Sequence, residues 1–300
     1  GYLVILALLM AESLQSPTDA VDSNALELVD RASAAAAKGE LLVILDFDRT
    51  LTSNFMPDGK RVTSAHGILE VASVLSETFK SKAQELFGKY YPIEIDEKMP
   101  IDEKVPIMHE WYGQVHELIM KEDVTKDNIA GAVSSCKTIR LRDGMLDFLQ
   151  SCQSHDPVIP VIIMSAGLGD VIEEFLRQVL PFPLQQSTHV VSNRMVFDES
   201  GRLSDFSEPL LHMFNKTAAF FPEATKKLAE GKKFCLLMGD GVGDCTMADG
   251  LEIETLKIGF LNEKVEERLP EFRRKFDIVV TDDGVVPEAA FRAIHSAYKK

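Results

Sequence analysis

The sequence is short of cysteine, tryptophan and positive charge, and it lacks an apolar run long enough to cross a bilayer. Its four cysteines, Cys136, Cys152, Cys235 and Cys245, include no CxxC pair. This argues against a disulfide framework and for reduced thiols buried as small hydrophobes. Thirty-two Lys and Arg residues face 47 Asp and Glu, a net charge of -15. That field would repel a phosphate backbone, and no basic stripe with interleaved aromatics offsets it, so nucleic acid is excluded as a partner. The N-terminal GYLVILALLM falls short of the roughly 20 residues a membrane span needs and has no basic region before it. Met10-Ala11-Glu12-Ser13 reads as a natural start behind it. A cytoplasmic monomer without a membrane partner is expected, with residues 1–23 a poorly ordered extension.

What is present is an alternation of apolar runs and helical stretches. Asn24 to Lys38 has helix-forming composition with Gly39 placed as its stop. Leu41 to Leu45 is a continuous apolar run ending in Asp46-Phe47-Asp48, the pattern of a parallel strand covered on both faces. Similar runs recur at Val158 to Met164, Phe234 to Met238, Leu256 to Phe260 and Ile278 to Val280. The fold class is therefore α/β: a doubly wound, Rossmann-like parallel sheet, in which polar residues closing the strands converge on one edge. Residues 55–140 interrupt the alternation as a helical cap inserted after the first strand, with Val105, Met108, Tyr112, Val115 and Ile119 on one helix face. Residues 24–54 and 141–300 form the core. Val190 to Phe206, with Gly201 in its turn, reads as a β-hairpin.

Asp46 and Asp48 leave the strand end two residues apart. One carboxylate can attack phosphorus while the other exchanges a proton with the leaving oxygen. Met238-Gly239-Asp240-Gly241-Val242-Gly243-Asp244 adds acidic oxygens after a second strand, with glycines that let backbone approach an ion. Four carboxylates gathered at one sheet edge, Asp46, Asp48, Asp240 and Asp244, would repel each other without a cation, and hard oxygen donors suit Mg²⁺. Ser165-Ala166-Gly167 offers a hydroxyl and free backbone N–H groups at a helix start, either a phosphate cradle or a helix cap. Lys216 reads by itself as a solvated charge.

Taken in order, Asp-x-Asp-x-Thr, Ser165, Lys216 and Gly-Asp-x-x-x-Asp resemble the motifs of the haloacid dehalogenase superfamily. The resemblance implies Asp46 as nucleophile and Asp48 as general acid, then base. Asp46, the Asp48 carbonyl and Asp240 would hold Mg²⁺, with Asp244 supporting its shell, and Ser165, Ala166 and Lys216 would hold the phosphoryl group. Lys89-Tyr90-Tyr91-Pro92-Ile93-Glu94, Glu110-Trp111-Tyr112, His116 and Lys257 to Asn262 are similar to the cytosolic pyrimidine 5′-nucleotidase family. That resemblance implies a Mg²⁺-dependent phosphatase for a nucleoside 5′-monophosphate, CMP or UMP, with Glu94, Trp111 and His116 contacting the substrate. Val115 stands where that family commonly has serine, which keeps 7-methylguanosine monophosphate open as a substrate. A nucleoside phosphotransferase and a phosphatase for another small metabolite are the other readings.

Overall fold

Runs of Leu, Val and Ile have to be covered on both faces, and here they are covered by lying side by side in one sheet. The computed structural model describes residues 19–21, 24–96, 98–184 and 186–295. The seven-stranded sheet has the order β1 (Asp19–Val21), β9 (Ile278–Thr281), β8 (Glu254–Leu261), β7 (Phe234–Gly239), β2 (Leu41–Leu45), β3 (Val161–Leu168) and β4 (Thr188–Asn193). Only β1 runs antiparallel; every other pairing is parallel. This is the doubly wound sheet expected from the alternation. Because β2 pairs with β3 on one side and β7 on the other, the strand ends carrying Asp46, Ser165 and Asp240 are immediate neighbours.

Alternate residues of β2 feed two cores. Leu41, Val43 and Leu45 pack with Leu236, Met238 and Ile163 on one face, and Leu42 and Ile44 with Ile162, Cys235 and Leu237 on the other. Helix α1 (Ala25–Ala37) buries Ala25, Ala32, Ala35 and Ala36, small residues that let it lie close to the sheet. It ends at Gly39, whose φ of +71° suits the residue without a Cβ. All four cysteines are free and buried.

The chain leaves β2 and returns through a narrow neck, an antiparallel bridge between Thr52 and Leu141. Between them lie α2 (Ala65–Val71), α3 (Glu77–Glu94), α4 (Ile101–Ile119) and α5 (Lys126–Ser135). The apolar cluster that holds Leu41 and Leu45 continues through Ile172 and Phe175 to Ile68, Leu69 and Ile129, so the inserted helices share the sheet's core on that side. The inner face of α4 departs from its expected spacing: Met108 and Ile119 are buried with Lys104 and His116, whereas Val105, Tyr112 and Val115 are half-buried.

Three local expectations change. The stretch from Val190 to Phe206 divides: its first residues belong to β4, parallel to β3, and only β5 (Met195–Phe197) and β6 (Leu203–Phe206) pair as the hairpin. Ser165-Ala166-Gly167 lies inside β3, opposite a break in register with β4, and the helix that follows (Gly169–Val179) begins only after it. Within the expected extension, Asp19–Val21 pairs with β9; residues 1–18, 22 and 23 lie outside the described residues. Among the described residues no helix is long and apolar enough to cross a membrane.

Candidate active site

The end of β2 delivers Asp46 beside the end of β7, where its backbone N–H donates to Met238 O at 2.9 Å. Lys216 reaches this point from a loop well outside the sheet. Its Nζ donates to Asp46 Oδ1 at 2.6 Å and to Asp244 Oδ1 at 2.8 Å. The three side chains are buried, with Lys216 2% exposed and Asp244 0%. Burial alone would lower the Lys216 pKa, but Asp244 and Asp46 reverse this and raise it, so the ammonium persists. Burial raises the Asp46 carboxyl well above the ordinary range, opposed by Lys216.

Close backbone approach makes this packing possible. A Cβ on Gly239 would sit 2.3 Å from Asp244 Cβ, and one on Gly243 2.6 Å from Met213 O, where the two loops touch. Asp244 Oδ2 accepts from the N–H groups of Asp240 and Gly241 at 3.1 and 2.9 Å. Side-chain oxygens of Asp46, Asp240 and Asp244 lie within 4.8 Å of one another. Among the described residues the Asp240 carboxylate makes no hydrogen bond, and Asp46 uses only Oδ1, which leaves hard oxygen donors of the kind a divalent cation takes. Asp240 is raised to about 7 by burial and by Asp244, a cost that a bound cation would relieve.

The Asp48 side chain stands apart from this cluster. Its Oδ1 accepts from the Ala65 N–H at 2.9 Å, and burial raises its pKa against that bond. A Cβ on Gly167 would lie 3.2 Å from Ser165 Oγ and 3.6 Å from Asp48 Oδ2, so the serine and the second aspartate face one space. Ser165 Oγ accepts from the Gly167 N–H at 3.0 Å.

Beyond the strand ends opens a cavity of about 440 Å³ lined by Arg49, Glu70, Glu94, Trp111, Tyr112 and Val115 among others. Glu94 is raised by burial, moderated by Lys104 and Arg49. Trp111 stacks on Tyr90 at 5.7 Å and meets Tyr112 edge-on at 5.8 Å. Glu94 and Trp111 thus open onto the cavity. His116 does not line it: its ring lies 3.9 Å from that of Phe206 and nearly parallel, with Nε2 unpartnered.

Burial lowers the His116 pKa to about 3, with His66 adding to the effect. Between pH 6.5 and that value the unfolded chain binds a proton that the folded chain refuses, so stability falls as pH drops through the window. The loss approaches about 1.4 kcal/mol per pH unit. His116→Leu is expected to flatten the fall of Tm between pH 6.5 and 4.5, followed by thermal melts; an unchanged slope would contradict the assignment.

Arg142 and Asn193 are buried groups near the strand ends that the sequence does not announce. Arg142, 2% exposed, donates from Nε to Thr50 O at 2.8 Å, from Nη2 to Arg49 O, and pairs with Asp283 at 3.2 Å. It holds the turn that follows the two aspartates. Asn193 donates to Ala166 O at 2.8 Å and to Leu211 O at 2.9 Å, tying the serine strand to the segment leading to Lys216. Neither carries a local signal, since an Arg and an Asn in isolation read as surface residues.

The family model described as Pyrimidine 5′-nucleotidase (UMPH-1) matches residues 49–294. The 7-methylguanosine phosphate-specific 5′-nucleotidase of Gallus gallus is 41% identical over 263 residues, covering 85% of this chain and 87% of that protein. The Homo sapiens protein of the same name is 40% identical, covering 81% and 80%. The crystal structure of cytosolic 5′-nucleotidase IIIB bound to cytidine superposes with a TM-score of 0.82 at 31% identity, over 94% of this chain and 95% of that one.

Proposed function

This chain belongs to the Pyrimidine 5′-nucleotidase (UMPH-1) family, and as a 5′-nucleotidase we propose that it releases phosphate from 7-methylguanosine 5′-monophosphate through an aspartyl-phosphate on Asp46. The observation that carries the chemistry is the buried Lys216 held between Asp46 and Asp244, with Asp240 alongside. Asp46 attacks phosphorus while Asp48, kept protonated longer by burial, gives its proton to the departing ribose 5′-oxygen as the P–O bond breaks. Asp48 then takes a proton from the water that attacks the phosphoryl group and restores the Asp46 carboxylate. Lys216 and Ser165 hold the phosphoryl oxygens. Asp46, Asp240 and the Asp48 carbonyl would hold Mg²⁺, backed by Asp244; the ion would offset the charge on the transferring group.

The helices from Ala65 to Ser135 act as the cap that sets base preference. A 7-methylated guanine ring is cationic, and two acids, Glu70 and Glu94, line the cavity with Trp111 and Tyr112. Carboxylate and aromatic faces both favour a cationic ring over a neutral one. The relatives at 40–41% identity carry that specificity in their names. CMP is the second reading, supported by the cytidine in the related crystal structure. Phosphate release should be strongest from 7-methylguanosine monophosphate, weaker from CMP and least from GMP, and should cease without Mg²⁺. No release from any of the three would overturn the reading.

A further inference from the structure

Arg49 follows the second aspartate and has φ +62°, the left-handed region that a branched or long side chain rarely adopts. Three hydrogen bonds hold it there. Its N–H donates to Thr52 Oγ1 at 2.9 Å, and its carbonyl accepts from Arg142 Nη2 and from Asn262 Nδ2, the latter at 3.0 Å. Arg142 is itself fixed through Thr50, Asn262 and Asp283, so the conformation is built from several buried parts. Such a conformation persists only where its surroundings over-determine it, and such residues cluster at active and ligand-binding sites.

That side chain enters the 440 Å³ cavity, exposed, and its guanidinium makes no hydrogen bond or ion pair among the described residues. It lies near enough to Asp48 and Asp240 at the strand ends, and to Glu94 in the cavity wall, for its charge to be felt by all three. A guanidinium near three acids that closes a bond with none of them keeps its donor fork available, and a planar fork matches phosphate oxygens.

We propose that Arg49, one residue after Asp48 and lining the cavity with Glu94, is a specificity-determining contact for the substrate's phosphate, a second cation in addition to Lys216. It would separate nucleotides from nucleosides, because only the former bring an anion to it. This rests on the nucleotidase reading, so the experiment has a binding arm that needs no turnover. Calorimetric titration of the wild type, Arg49→Met, Arg49→Lys and Arg49→Gly with inorganic phosphate, and separately with 7-methylguanosine and cytidine, is paired with steady-state kinetics.

Arg49→Met is expected to weaken phosphate binding and raise KM for the monophosphate about tenfold, the scale of one charge-assisted bond, with nucleoside binding unchanged. Arg49→Lys should recover most of the loss. Arg49→Gly takes the left-handed backbone at no steric cost, so it should keep the fold and lose phosphate affinity as Met does. Equal phosphate affinity in the wild type and Arg49→Met would overturn the proposal, as would a parallel loss of nucleoside and phosphate binding. A wild type that binds phosphate but releases none from any nucleotide would instead sink the nucleotidase reading and leave the Arg49 contact to be judged on the titration.

Discussion

Asp46→Asn is expected to lower phosphate release by a factor on the order of a thousand or more, because an amide does not attack phosphorus and removing a nucleophile costs this much in comparable enzymes. The fold should survive. Asparagine keeps an oxygen for Lys216 and removes a charge that burial disfavours, so Tm should stay equal or rise. Rapid quench with substrate labelled on phosphorus gives a sharper reading: the wild type should carry transient label on protein, and Asp46→Asn none. Activity within tenfold of wild type, or label retained by the variant, would remove Asp46 from the role of nucleophile.

The second large effect concerns Lys216. It lies between Asp46 and Asp244, and Lys216→Met leaves two buried carboxylates facing each other without their cation. Breaking such a pair costs about 3–5 kcal/mol, which for a chain of this size lowers Tm by roughly 10 °C. Phosphate release should be lost with it. Adding Mg²⁺ should raise the Tm of the variant more than that of the wild type, since a divalent ion takes over part of the missing charge. Asp244→Asn placed on top of Lys216→Met should recover much of the stability and none of the activity. A Lys216→Met protein as stable as wild type would show that the carboxylates are not balanced by this ammonium.

Most of the sheet could be read from residues alone because its strands announce themselves twice, as apolar runs and as runs ending in acid or serine. Leu41 to Asp46 and Phe234 to Asp240 carry both signals and occupy the middle of the sheet. Val190 and Val191 carry only the first and precede a turn sequence, so they read as hairpin although they pair in parallel with Ile163 and Met164. Nothing local distinguishes these two pairings; the partner strand decides. The same holds at the site. Acidic motifs are legible because their spacing has a chemical use, whereas Lys104, Arg142 and Asn193 are polar residues whose burial depends on carbonyls in other segments of the fold. Lys104 is the clearest case, since its ammonium donates to Glu94 O at 2.8 Å from a helix face expected to be apolar. A capped helix end, invisible to hydrophobic spacing, supplied its partner.

Asp19–Val21 occupies the outer flank of β9 and runs against it. Unpaired strand flanks are where one polypeptide recruits another, and here the chain fills its own. Among the described residues the sheet therefore ends in a strand of three residues on this side and in the six of Thr188–Asn193 on the other, so a second molecule continuing the sheet would find the longer template at that opposite margin.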